Sequence, residues 1–155
     1  MQRKFFVGLA SVFGLGFMPK APGTFGSLAA IPLWALSFYW NISWQWAAFA
    51  GIFLISFSIW ISSQAEKYLG EHDSGHIVID EVCGMFVTSI ALPFQWPWIL
   101  VAFILFRILD ACKPWPINLL DEKLPGGFGV VMDDVAAGVI GCGALHAVRY
   151  FLPHL

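Results

Sequence analysis

Five of the ten acidic residues in this 155-residue chain fall in three short clusters, each beside an apolar run. Asp80 and Glu81 stand in His76-Ile77-Val78-Ile79-Asp80-Glu81-Val82-Cys83-Gly84. Asp110 stands in Arg107-Ile108-Leu109-Asp110-Ala111-Cys112-Lys113-Pro114-Trp115-Pro116. Asp133 and Asp134 close the run Gly126-Gly127-Phe128-Gly129-Val130-Val131-Met132-Asp133-Asp134. Carboxylates held against apolar surroundings suit a hard divalent cation such as Mg2+. Two simpler readings compete. Acids favour a helix N-terminus through its dipole, and Arg107 with Asp110 is an i,i+3 ion pair. Asp133 or Asp134 could also cap the last helix, although two acids exceed what a cap needs.

A fourth patch is Pro19-Lys20-Ala21-Pro22-Gly23-Thr24-Phe25-Gly26-Ser27. Its prolines and glycines make a rigid turn, and Thr24 or Ser27 can cap the helix that follows. Backbone N–H groups at Gly23 and Thr24, beside the Lys20 ammonium, suit a phosphate. The patch is not a Walker A loop, because the G-K-[ST] ending is absent. Together the acids can hold a cation while Lys20, Arg107 and Lys113 neutralise phosphate oxygens. That combination is what metal-assisted phosphoryl chemistry requires. Other chemistries lack their motifs. No Cys has an Arg six residues on, no D-x-D or D-G-x-x-A-R run occurs, and no Ser–His pair stands out as a nucleophile system. His72 and His76 are separated by Gly75 and read as loop histidines rather than a helical metal pair.

The elements that must position these groups are written in the composition. Apolar residues make up 59% and charged residues 12%, against about 45–50% and about 25% in an ordinary soluble domain. Mean hydropathy is +0.75. This argues against a soluble globular protein and a disordered tail. The net charge of −2 offers no basic excess for nucleic acid. The three cysteines read as small buried side chains, not as a disulfide framework. One domain over 1–155 is expected.

Residues 21–65 and 82–106 carry no Asp, Glu, Lys or Arg, nor do 135–148, a stretch broken only by His146. Since a crossing takes about 20 apolar residues, the pattern predicts an all-α polytopic membrane bundle of about five helices. They are placed near Ser27–Trp40, Trp46–Ser63, Ile77–Leu92, Trp98–Cys112 and Asp133–Phe151. Turns fall at Asn41–Gln45 and at Pro93–Pro97, where two prolines break the ladder. The alternative is a single crossing over 82–106. Trp40, Trp44, Trp46, Trp96 and Trp98 flank the two turns, as interfacial rings do. If both turns share one side, Arg3, Lys4, Lys20, Lys67, Arg107, Lys113 and Lys123 gather on the other, leaving only Arg149. The basic side is then cytoplasmic, and the segments 64–81 and 107–134 form the site there. Residues 1–19 are read as an in-plane interfacial helix, with Phe5, Leu9, Val12, Phe13 and Gly16 at helical spacing. A cleaved signal peptide is the alternative, but no A-x-A site follows.

At all four patches, taken in order, the chain resembles the phosphatidylglycerophosphatase A family. The likeness rests on Lys20–Ser27, on His72-Asp73 with Ile77–Gly84, on Arg107–Pro114 and on Gly126–Asp134, and spans roughly 11–150. It implies an all-helical protein of the bacterial inner membrane. It also implies Mg2+-dependent removal of the terminal phosphate of phosphatidylglycerophosphate, giving phosphatidylglycerol. The expected ligands are Asp80, Asp110 and Asp133 or Asp134, with Glu81 as a further ligand or the base. The expected phosphate grip is Lys20, Arg107 and Lys113, assisted by the Gly23–Thr24 backbone. Partners are then a phospholipid substrate and the membrane, with no nucleic acid. The rivals are a phosphatase of another lipid phosphate, or a non-catalytic ion pathway or lipid-binding protein, whose acids would be spread along the membrane normal.

Overall fold

One helix contact that positions the acids is made by glycine. The structure, a computed structural model, describes residues 2–151, so residues 1 and 152–155 of the expected domain lie outside it. Among the described residues it is all-helical: α1 Gln2–Ala10, a 3-10 turn Leu15–Phe17, α2 Pro22–Ala29, α3 Ile31–Tyr39, α4 Trp44–Leu69, α5 Ile79–Ser89, α6 Trp96–Cys112, α7 Ile117–Lys123 and α8 Gly126–Phe151. A Cβ at Gly84 would lie 2.6 Å from the Asp134 carbonyl oxygen, and a Cβ at Gly138 would overlap the Gly84 carbonyl. Only glycine lets α5 and α8 approach this closely.

The two helices run side by side in the same direction. Gly141 packs on Thr88, His146 Nε2 donates to the Ile90 carbonyl at 2.9 Å, and Arg149 Nη1 donates to the Ala91 carbonyl at 2.9 Å. α4 runs the opposite way beside them, with Ser58 Oγ against Cys83 Sγ at 2.9 Å and Gly51 over Phe86 and Ile90. Ten of the eleven α5 residues are buried, Glu81 being the exception. A helix apolar all round belongs in a core, and the main core cluster gathers Val82, Met85 and Phe86 of α5 with Trp34, Trp98, Phe106 and Leu145.

The structure departs from several sequence expectations. The segment Ser27–Trp40 is two short helices, because Pro32 in the first turn of α3 cannot donate to the preceding turn. The segment Ile77–Leu92 shrinks to α5, about 16 Å long at 1.5 Å per residue, short of the roughly 30 Å hydrocarbon core. Among the described residues two helices are long and apolar enough to cross a membrane by themselves, Trp44–Leu69 and Gly126–Phe151. The last helix begins at Gly126, so Asp133 and Asp134 lie inside it and cap nothing. α2 begins at Pro22 with Ala21 as its cap, and Ser27 Oγ instead donates to the Gly23 carbonyl at 2.9 Å. Trp98 is buried in the core, whereas Trp40, Trp44, Trp46 and Trp96 are exposed around the two turns. The helix expected over 1–19 stops at Ala10 and turns a corner at Val12–Phe13.

If the α5–α8 contact organises the fold, Gly138→Val should destabilise it by about 1–3 kcal/mol through overpacking. Thermal unfolding of the detergent-solubilised chain checks this. A variant that melts with the wild type would mean the contact carries no such weight.

Candidate active site

Asp80 lies one turn before Gly84 on α5, and Asp134 one turn before Gly138 on α8. Because those glycines touch and the helices run parallel, the two carboxylates meet. One oxygen each from Asp80, Glu81 and Asp134 lie within 4.8 Å of one another. Two Mg–O bonds span about 4.2 Å, so the spacing is of the right order for a shared small cation. Each aspartate that opens an acidic pair is held by the next residue. The Glu81 N–H donates to Asp80 Oδ1 at 3.0 Å, and the Asp134 N–H donates to Asp133 Oδ1 at 2.9 Å.

The electrostatics are unbalanced. Burial pushes the Asp80 carboxyl well above its ordinary range, and the charges of Glu81 and Asp134 add to that. Glu81 is raised as well, first by burial; the Asp80 hydrogen bond and the Arg107 charge oppose this, and Asp110 adds to it. Glu81 Oε2 is buried with no hydrogen-bond partner among the described residues. A divalent cation among these oxygens would relieve both the repulsion and the orphaned acceptor.

The bases stand around this cluster unequally. Arg107 Nη1 donates to Asp110 Oδ2 at 2.6 Å and lies 3.4 Å from Ser27 Oγ. Asp110 is therefore tied to Arg107, although its charge still bears on Glu81 and Asp134. Lys113 Nζ donates to both Asp121 Oδ1 and Asp133 Oδ2 at 2.6 Å. Burial works against the Lys113 charge, but those two carboxylates outweigh it and lift its pKa. Both Asp133 oxygens are thus engaged away from the cluster. Lys20 is exposed and makes no ion pair among the described residues.

Gly23 does something other than the expected cradle. A Cβ there would overlap Glu81 Oε1 and lie 3.1 Å from Arg107 Nη1, so glycine lets α2 close over the acids. The Thr24 N–H is spent on the Ala21 carbonyl at 2.9 Å, which removes it as a free phosphate donor. His72 pairs with Glu66, and His76 Nδ1 donates to the Gly16 carbonyl at 3.0 Å. Of the expected residues, the structure brings Asp80, Glu81 and Asp134 together. Asp110, Arg107 and Gly23 surround them, Asp133 and Lys113 form a neighbouring bridge, and Lys20 and Thr24 stand at the rim without such contacts. Sequence reasoning missed Asp121 and gave Ser27 the wrong task. Asp121 sits in the short charged stretch Asp121-Glu122-Lys123, which reads as ordinary surface.

Residues 8–149 match the family model described as Phosphatidylglycerophosphatase A. A protein of Escherichia coli (strain K12) named phosphatidylglycerophosphatase A is 43% identical over 146 residues, 94% of this chain and 84% of that one. A Haemophilus influenzae protein of the same name is 39% identical over 146 residues, 93% of this chain and 88% of its own. A Bacteroides thetaiotaomicron protein with the provisional name phosphatidylinositol-3-phosphatase is 38% identical over 147 residues, 90% of this chain and 91% of its own. No solved structure matches the chain.

Lys113→Met should leave the buried Asp133 charge unpaired and cost about 3 kcal/mol. Adding Asp133→Asn should recover most of the loss in thermal unfolding. Equal stability of Lys113→Met and wild type would show that the bridge does not hold α6, α7 and α8 together.

Proposed function

The chain belongs to the phosphatidylglycerophosphatase A family, and from that premise we propose that it hydrolyses the terminal phosphate monoester of phosphatidylglycerophosphate, releasing phosphate and leaving phosphatidylglycerol. The observation that carries this reading is the meeting of Asp80, Glu81 and Asp134 within 4.8 Å, next to Arg107. Mg2+ is the fitting metal, because the donors are hard carboxylate oxygens and one buried oxygen lacks a partner. Held by Asp80, Glu81 and Asp134, it would supply Lewis-acid polarisation of the phosphoryl group.

The other roles belong to side chains. Arg107 spends Nη1 on Asp110 and Ser27, which fixes its plane. The rest of its guanidinium makes no hydrogen bond among the described residues and can take two phosphate oxygens. Lys20, exposed just before α2, adds a second charge at the mouth. The Glu81 carboxylate oxygen that the metal leaves free accepts the proton of the attacking water as the new P–O bond forms. The glycerol oxygen leaves with the electrons of the broken P–O bond and takes a proton from solvent. Asp110 keeps Arg107 oriented, and the Lys113–Asp133 bridge fixes α8 against the end of α6.

The same reading puts the protein in the bacterial inner membrane, with α4 and α8 crossing it and the remaining helices packed between and beside them. Supporting this, Lys20, Arg107 and Lys113 lie at the end that carries the acids, while Arg149 packs near Ala91 at the other end. Such asymmetry fits a cytoplasmic active-site face. A second reading keeps the chemistry and changes the headgroup, and it rests on the Bacteroides relative's name.

Phosphate release should be assayed on phosphatidylglycerophosphate, phosphatidylinositol 3-phosphate and phosphatidate, with Mg2+ and with EDTA. Fastest turnover on the first, loss in EDTA, and a fall of about 100-fold or more in Asp80→Asn and Asp134→Asn are expected. Wild-type rates in both variants would overturn the site assignment. Preference for the inositol lipid would select the second reading.

A further inference from the structure

On the side of α1 turned away from α4, a groove of about 590 Å³ is lined by Arg3, Lys4, Gly8, Phe13 and Phe17 among others. Its two ends differ in chemistry. Arg3 and Lys4 supply adjacent cations at one end, and neither joins any of the ion pairs among the described residues. The other end is bounded by Phe13, 87% exposed, and Phe17, 52% exposed. A Cβ built on Gly8 would meet nothing within 4 Å, so the space between the ends is open. Among the described residues no acidic side chain lines it.

The corner that presents Phe13 is strained. Val12 and Phe13 both have left-handed backbone, with φ of 48° and 56°, which non-glycine residues adopt at a cost of about 1–3 kcal/mol each. A β-branched residue there is a clear outlier. The strain holds a phenyl ring out in the open, opposite a pair of cations.

We propose that this groove is a second lipid site, separate from the acidic cluster, which takes an anionic phospholipid. Arg3 and Lys4 bind the headgroup phosphate, and Phe13 and Phe17 pack on the glycerol and upper acyl region. Charge complementarity selects an anionic headgroup over a neutral one. The site is also wired to the acids. Val78 N–H donates to the Ala10 carbonyl at 2.9 Å, His76 Nδ1 donates to the Gly16 carbonyl, and Phe17 stacks on His76 with ring centres 4.5 Å apart. Asp80 follows two residues after Val78. A lipid that fixes the corner therefore fixes the start of α5 and steadies Asp80 and Glu81.

The coupling half of this inference rests on the proposed phosphatase reading; the binding half does not. The test reconstitutes the full chain in phosphatidylcholine vesicles with and without phosphatidylserine. Native mass spectrometry after detergent extraction then reads the phosphatidylserine retained, with no catalysis involved. Wild type should retain it over phosphatidylcholine, and Arg3→Gln and Lys4→Gln should each weaken retention about fivefold. Phe13→Ser should also weaken it, while Lys67→Gln should not. Unchanged retention in the Arg3→Gln/Lys4→Gln double variant, or an equal loss in Lys67→Gln, would overturn the site. The rate of phosphate release should rise with phosphatidylserine in wild type and not in the double variant. Retention that depends on Arg3 and Lys4 without any rate response would overturn the coupling.

Discussion

Two backbones in contact force three carboxylates into one place. Gly84 and Gly138 let α5 and α8 lie closer than any side chain would permit, and the helices run in the same direction. One turn toward their N-termini, Asp80 and Asp134 must then face each other, with Glu81 beside them. Like charges in a buried setting repel strongly, so the arrangement is expensive unless a cation or shared protons relieve it. The helix contact thus creates the electrostatic problem that a metal would solve. Placing the acids at the start of α5 lets its dipole offset a part of the cost.

The surrounding elements keep that cluster from relaxing apart. Gly23 and Gly26 let α2 lie on the first turn of α5, and a side chain at either would strike Glu81 or Val78. Arg107 ties the end of α6 to α2 through Ser27. Lys113 ties α6 to both α7 and α8 through Asp121 and Asp133. Each basic residue of the α6 end therefore has a positioning task in addition to any phosphate it meets. Their difference is in what is left over: Lys113 is neutralised twice, while part of the Arg107 guanidinium has no partner among the described residues.

The three acidic clusters were legible because charge is rare in this chain, so Asp80, Glu81, Asp110, Asp133 and Asp134 stand out against long apolar runs. That both proposed turns lie at the end opposite the acids was also readable from charge and proline. Element boundaries were harder. Gly126, Gly127 and Gly129 read as backbone open to a close approach, ahead of a helix starting at Asp133; the approach is there, since a Cβ at Gly127 would strike Ser63 and one at Gly129 the Leu124 carbonyl, but the helix already begins at Gly126. Packing, invisible in sequence, overrides propensity there. α5 looked like a crossing because an apolar run does not distinguish a buried core helix from a membrane span. The split between Asp133 and Asp134 was unreadable for a similar reason. Neighbours on a helix point about 100° apart, and only the position of Lys113 decides which one it claims.

The proposed chemistry requires one divalent-cation site built by α5 and α8 from Asp80, Glu81 and Asp134. Mn2+ binding followed by electron paramagnetic resonance on the solubilised chain tests it without reference to turnover. A bound Mn2+ signal is expected in wild type and in Asp121→Asn, and its loss in Asp80→Asn and in Asp134→Asn. Undiminished Mn2+ binding in both of those variants, with the fold intact, would contradict it.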